Sequence, residues 1–263
     1  MPYRIDIPNP PHDALDRLLQ CGALDVEPVP GGLAAIIPDA VTPNKLSVAL
    51  GTTRFAVSSA VARDNESVWL LSPRSIRIGS IRIAPSAGDD SSDAVILIDS
   101  PAFGTGHHPT TVLCIEAIEE AVHASIPDNL LDVGTGSGVL ALVALRLGVP
   151  RALGLDIDSN ALESAAENAQ LNRLSDRLEL VLGGADAVDG VWPLVVANVL
   201  PAPLIEMAPV LVRRLGHRGR LILSGIPSAL ESEVWETYQN LGMQFLRSET
   251  RSGWNVLVTQ ASW

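Results

Sequence analysis

A chain of 263 residues with 47% apolar residues and a mean hydropathy of +0.25 can fill a sizeable core, and its length suits one catalytic domain of about 200 residues with a small appendage. Its formal charge of −12 and isoelectric point near 4.7 argue against a non-specific grip on nucleic acid, which needs basic surface, and suit either a basic partner or solubility alone. Lys45 is the only lysine, so Schiff-base chemistry has a single candidate, and Cys21 and Cys114 have neither metal nor redox spacing. With no signal-peptide core at MPYRIDIPNPPHD and no apolar run long enough for a span, a reduced, soluble, cytoplasmic protein is expected.

The first 65 residues alternate short strands and helices. YRIDI (3–7) alternates as a strand does, and HDALDRLLQCG (12–22) has helical spacing with Gly22 as its stop. DVEPV (25–29), a turn at Pro30 to Gly32, LAAIIP (33–38), a second helix in TPNKLSVALG (42–51) and RFAVSSAVA (54–62) follow. The order βαββαβ predicts a split-βαβ sheet, hence a small α+β domain over residues 1–65 and a second domain over 66–263. ARDNES (62–67) reads as a polar linker, SIRIGSIRIAP (75–85) as a hairpin, SAGDDSSD (86–93) as a loop of turn formers and VILID (95–99) as a buried strand.

From Asp128 the chain settles into strand–helix alternation, the mark of a parallel sheet with helices on both faces. NLLDV (129–133) is a strand, GTGSG (134–138) a loop, and VLALVALRLG (139–148) a helix stopped by Gly148. ALGLDI (152–157) is the next strand, with a helix over 159–172 behind it. LELVLGG (178–184), PLVVANVL (193–200) and GRLILSGI (219–226) supply three more strands, and APLIEMAPVLVRRLG (202–216) and SALESEVWETYQNLG (228–242) supply helices that each end in glycine. MQFLRSE (243–249) and GWNVLVTQ (253–260) close the pattern as an antiparallel edge pair, giving an α/β, Rossmann-like fold with a seven-stranded mixed sheet.

The loop DVGTGSG sits between a strand and a helix, where glycines let a ligand approach the backbone and the helix end favours negative charge. Its glycines fall at Gly134, Gly136 and Gly138, with Val139 where a dinucleotide fingerprint would have its third glycine. Asp132 precedes the loop, and a carboxylate there suits a cationic amine better than a pyrophosphate. S-adenosyl-L-methionine carries such an amine, a carboxylate for the helix end and no phosphate. Asp156 ends the second strand, where it can accept both ribose hydroxyls, a role shared with nicotinamide cofactors. Asp158 reads as the cap of the following helix. Asp186 either reaches the adenine amino group or is a solvated loop aspartate.

AFGTGHHPTT (102–111), LLDVGTGSGVLALVALRLG (130–148), GLDIDSNALESAAENAQLN (154–172) and VVANVLPAPLIEMAP (195–209), followed by GWNVLV (253–258), resemble the PrmA family, bacterial methyltransferases that act on ribosomal protein L-eleven. CGALDVE (21–27) and the 75–85 hairpin resemble the family's small domain and entry strands. The resemblance implies a class I methyltransferase fold using S-adenosyl-L-methionine, with a ferredoxin-like N-terminal domain that docks the protein substrate. It also implies that the 102–111 segment folds over the cofactor, so that Phe103, Gly104, Thr105 and Thr110 line its site beside Gly134 and Gly136.

Methyl transfer is an in-line displacement, so the enzyme mainly positions a neutral nucleophile. Asn198 ends the fourth strand at the carboxyl edge of the sheet, where its side-chain oxygen can accept a proton of an amine and aim the lone pair. ANVL lacks the aromatic that would stack on a flipped base, so a lysine or α-amino acceptor fits better. His107 and His108 have no ligand spacing around them, which leaves a loop-fixing role or, for His107, a base. The partner expected is a basic ribosomal protein, met by a monomer that binds neither membrane nor nucleic acid. A methyltransferase of another protein, a non-catalytic cofactor-binding homologue and a nicotinamide-linked oxidoreductase are the alternatives.

Overall fold

The computed structural model describes residues 1–64, 66–86 and 94–263. The chain divides into two compact units, Met1–Pro73 and Arg74–Trp263.

The first unit runs β1 (Tyr3–Pro8), α1 (Ala14–Gln20), β2 (Asp25–Val29), β3 (Gly32–Ile37), α2 (Pro43–Leu50) and β4 (Ala56–Ser59). The sheet order β2-β3-β1-β4, with every described pair antiparallel, is the ferredoxin-like arrangement that the βαββαβ order predicts. Ile5 and Ile7 of β1 and Ala35 and Ile37 of β3 alternate onto one face and bury against Ala14, Leu18, Leu46 and Leu50 of the helices. Helix α2 starts where Thr42 Oγ1 accepts the amide of Lys45 at 3.3 Å and Pro43 fixes the first turn.

Residues 62–67 do not form a linker. β5 (Ala62–Arg63) pairs antiparallel with β6 (Val68–Trp69) across them, residue 65 lying outside the description. Their polarity is that of a hairpin tip. The segment after it returns to the sheet: Asp25 Oδ2 accepts the amide of Leu71 at 2.8 Å, and Ser72 Oγ donates to Glu27 at 2.8 Å. These bonds carry the first unit on to Pro73, eight residues past the 65/66 division read from the sequence.

The second unit opens with β7 (Ile76–Ile78), β8 (Ile81–Pro85) and β9 (Ala94–Leu97), a small sheet of its own. The expected 75–85 hairpin is β7 with β8, and β9 adds to β8 in parallel. The turn-rich loop expected over 86–93 lies outside the described residues apart from Ser86. Then come α3 (Pro109–Ala124), β10 (Asn129–Val133), α4 (Val139–Arg146), β11 (Arg151–Asp156), α5 (Ser159–Leu171), β12 (Leu178–Leu182), β13 (Trp192–Asn198), α6 (Pro201–Arg213), β14 (Leu215–Pro227), α7 (Glu231–Asn240), β15 (Met243–Arg251) and β16 (Trp254–Ala261).

The seven-stranded sheet has the order β12-β11-β10-β13-β14-β16-β15, parallel through β14 and antiparallel at the last two strands. The expected mixed sheet is therefore present. Its faces bury two apolar layers, one around α3 and α4 and the other around α6 and α7. The alternation of Leu130 and Leu131 sends one side chain to each.

Helix α6 does not end on a glycine. Its cap is Arg214, and β14 begins directly at Leu215, with Gly216 inside the strand. Arg214 makes the stop: its carbonyl accepts the amide of Trp192 at 2.7 Å and its Nε donates to Ala185 at 2.9 Å. Among the described residues no helix is long and apolar enough to cross a membrane.

Candidate active site

Register places three of the sequence-derived residues in one row. In the parallel sheet Val133 lies opposite Leu155 on one side and Ala197 on the other. One residue further along, Asp156, Gly134 and Asn198 stand level at the carboxyl ends of β11, β10 and β13. Side chains converge there because strand order reverses direction at β10, and ligands of doubly wound sheets occupy that crevice.

The glycine loop is held by its own strand row. Gly134 and Thr135 both donate to the Leu155 carbonyl at 2.8 Å. Asp156 Oδ2 accepts the Gly136 amide at 2.9 Å, and Asp156 Oδ1 accepts the Asp158 amide at 3.0 Å. Asp158 caps α5 by accepting from Asn160 at 2.9 Å. Asp156 thus braces the loop as well as facing the crevice, and each of its oxygens keeps acceptor capacity for a hydroxyl. Asp186 is exposed in a turn beyond β12, and no side-chain bond joins it to this row in the described structure.

The two glycine loops touch each other. The Ser137 amide donates to the Phe103 carbonyl at 2.9 Å, and Ser137 Oγ donates to the Gly104 carbonyl at 2.8 Å. A methyl group on Gly136, whose φ is +55°, would stand 2.6 Å from the Phe103 carbonyl oxygen. Two glycine runs are needed here partly so that two backbones can meet, whatever ligand lies against them. The 102–111 segment is secured further along. The His107 amide donates to Thr105 Oγ1 at 3.3 Å, and His107 Nε2 lies 3.0 Å from the Arg74 carbonyl. His108 Nδ1 lies 2.7 Å from the hydroxyl of buried Thr110, and its ring sits edge-on to Phe103 and Trp254 at 5.2 and 5.1 Å. Both histidines thus have bonding partners along or beside this segment. A His107 Nε2 that donates to a carbonyl is not placed to take a proton from a substrate.

Two buried oxygens near this row have no hydrogen-bond partner among the described residues: Asn198 Oδ1 in the row and Asp132 Oδ1 two residues before Gly134. Asp132 is fully buried, and its other oxygen accepts from Thr135 Oγ1 at 2.8 Å and from the Ala141 amide at 3.3 Å. Burial pushes its carboxyl up to about 7, with the Asp156 charge adding and the two hydrogen bonds opposing. Asn198 is held by its neighbours: it pairs with Ser224, the Val199 amide donates to the Ser224 carbonyl at 3.2 Å, and Gly225 abuts the Val199 carbonyl so closely that no side chain would fit. Leaving two acceptors bare in a buried place is costly unless a donor arrives. The pair therefore suits a ligand with an ammonium group and a second N–H donor. Among the described residues no group of histidine, cysteine or carboxylate side chains could hold a metal.

Sequence reasoning missed Ser137, Asn168, Asn172 and Gly225. Asn168, fully buried on α5, donates to the Ser137 carbonyl and accepts from the Ile98 amide, both at 2.8 Å. One turn on, Asn172 accepts from the Ile96 amide at 2.9 Å and donates to the Ile96 carbonyl at 2.7 Å. Two asparagines at i and i+4 among the alanines of ESAAENAQLN were the available signal, since a polar pair on a small-residue face needs a backbone to bond. Trp254, one of five tryptophans in the chain, packs on the loop histidine His108.

A family model described as ribosomal protein L11 methyltransferase (PrmA) matches residues 40–262. The ribosomal protein L11 methyltransferase of Shewanella halifaxensis is 33% identical over 266 residues, covering 89% of this chain and 90% of that protein. Its counterpart in Ralstonia pickettii is 43% identical over 183 residues, 68% of this chain and 59% of that one. A crystal structure of ribosomal protein L11 methylase from Lactobacillus delbrueckii subsp. bulgaricus aligns with a TM-score of 0.66 at 29% identity, covering 72% of this chain and 100% of the other.

Proposed function

The chain belongs to the ribosomal protein L11 methyltransferase (PrmA) family, and from that premise we propose that it transfers methyl groups from S-adenosyl-L-methionine to amino groups of ribosomal protein L11. The observation that carries the reading is the pair of unpartnered buried oxygens, Asp132 Oδ1 on the strand that leads into the Gly134 turn and Asn198 Oδ1 at the end of the neighbouring strand. A nicotinamide dinucleotide would bring a pyrophosphate to the same place, where buried acceptors repel it and Val139 replaces the third fingerprint glycine.

When bound, the cofactor supplies an electrophilic methyl group on a sulfonium centre. The chain's own residues do the rest. Gly134 and Gly136 leave backbone within reach of it, Asp132 holds its ammonium group, and Asp156 accepts the ribose hydroxyls. Phe103, Gly104 and Thr105 cover it from the loop bonded to Ser137, and Thr110 stands in the first turn of α3 that follows. Asp186 stands beyond β12 for the adenine amino group. Asn198 Oδ1 accepts an N–H of the neutral acceptor amine and aims its lone pair at the methyl carbon. The acceptor amine would turn cationic on taking the methyl group and would then give up its proton to solvent. The charge of −12 supports a basic protein partner. The first unit, a substrate-docking domain, presents it.

Calorimetry tests the cofactor assignment: the protein should bind S-adenosyl-L-methionine and its demethylated product, and neither NAD nor NADP. Tight NAD binding with no response to S-adenosyl-L-methionine would overturn it.

A further inference from the structure

Hydrogen bonds along the 103–107 segment tie it to the glycine loop at one end and to Arg74, the first residue of the second unit, at the other. Ser137 donates to the Phe103 and Gly104 carbonyls at 2.9 and 2.8 Å. Two residues on, Thr105 Oγ1 accepts the His107 amide at 3.3 Å, and His107 Nε2 reaches the Arg74 carbonyl at 3.0 Å. Arg74 directly follows Pro73, where the first unit ends. The contact joins residues 33 apart in sequence, so it is a tertiary tether and no local turn.

We propose that His107 is a positioning residue that ties the cofactor-covering loop to the chain at Arg74, so that filling the glycine cradle orders the segment through which the first unit is attached. The inference rests on the proposed cofactor site and deepens it. A carbonyl can only accept, so Nε2 carries the proton and the neutral ring is held as one tautomer. The same bond survives protonation, because the imidazolium also donates from Nε2. Its reach is specific: Nε2 is the far atom of the ring, and a glutamine amide nitrogen extends about as far, whereas alanine or threonine cannot span the gap.

The coupling runs both ways, as any equilibrium coupling must. Cofactor that settles the 103–108 loop presents the His107 ring to Arg74, and an ordered Arg74 holds the loop over the cofactor. A single partly exposed hydrogen bond has a net value that corresponds to a change of about two- to tenfold in an equilibrium.

Hydrogen exchange with mass-spectrometric readout tests this on the full chain. S-adenosyl-homocysteine is the probe, and its affinity for each variant is measured alongside by calorimetry. In the wild type, the amides of residues 74–76 should exchange more slowly once the probe is bound. In His107→Ala that added protection should fall by about two- to tenfold, and in His107→Gln it should return. Probe binding with equal protection of 74–76 in wild type and His107→Ala would overturn the tether, as would failure of His107→Gln to restore it. No binding by any variant, wild type included, would instead overturn the cofactor assignment on which the tether rests.

Discussion

Asn198 and Asp132 each keep a buried side-chain oxygen without a partner at the candidate site, and each makes a separate prediction. If Asn198 Oδ1 orients the acceptor amine, its effect belongs to the transition state, so Asn198→Ala should lower kcat by about ten- to a thousandfold while cofactor affinity changes little. Single-turnover rates at saturating cofactor measure this, and wild-type turnover in a folded Asn198→Ala protein would remove the residue from the mechanism. Asp132 is legible by pH. Its folded carboxyl is raised from the ordinary 3.8 to about 7, so the folded chain keeps a proton that the unfolded chain gives up between those values. The free protein should accordingly lose stability as pH rises through that window, and Asp132→Asn should flatten the dependence. An arriving ammonium group favours the carboxylate, so cofactor binding at pH 6 should release a proton. Calorimetry in two buffers of different ionisation enthalpy reads that proton directly. Zero net release in the wild type, or equal release in Asp132→Asn, would place the ammonium elsewhere.

At the scale of elements, the fold's positioning power lies in the loop-to-loop bonds of Ser137 and the asparagine pair of α5. Ser137→Ala removes one hydrogen bond to the Gly104 carbonyl and should weaken cofactor binding by about 0.5–1.5 kcal/mol, with a small drop in Tm. Asn168→Ala leaves the Ser137 carbonyl and the Ile98 amide without their partner inside the core, so its effect should fall on stability, by about 1–3 kcal/mol. Denaturant unfolding of both variants separates the two: a larger stability loss for Ser137→Ala than for Asn168→Ala would reverse these roles. Strands and helices were readable in the sequence because apolar period, glycine and proline report local geometry. The run LLDVGTGSG gave strand, turn and helix in order, and register then placed Asp156, Gly134 and Asn198 in one row. Bonds between segments far apart in sequence were not readable. Ser137 looks like a filler between two glycines until the 102–111 loop is folded against it. Residues 62–67 looked like a linker because a hairpin tip and a linker share polar composition, and only the pairing of β5 with β6 tells them apart. The α6 end differs for a similar reason, since Arg214 stops the helix through bonds to the Trp192 amide and the Ala185 carbonyl, both from other segments.

At the scale of the whole molecule, a ferredoxin-like unit and a seven-stranded methyltransferase unit are joined at Pro73, and the family match spans residues 40–262 across both. If the acidic balance of the chain contributes to capture of a basic protein, the apparent KM for the protein substrate should rise with salt while cofactor affinity stays nearly constant. Initial rates at increasing sodium chloride test that split, and a salt-independent KM would deny charge a part in docking. The central claim is methyl transfer onto amino groups of ribosomal protein L11. It is tested most directly by mixing the purified protein with methyl-labelled S-adenosyl-L-methionine and ribosomal protein L11, then mapping the label by mass spectrometry. The account predicts label on lysine side chains or the α-amine, strongly reduced with Asn198→Ala. Cofactor binding without any label on ribosomal protein L11, or label that Asn198→Ala leaves unchanged, would contradict it.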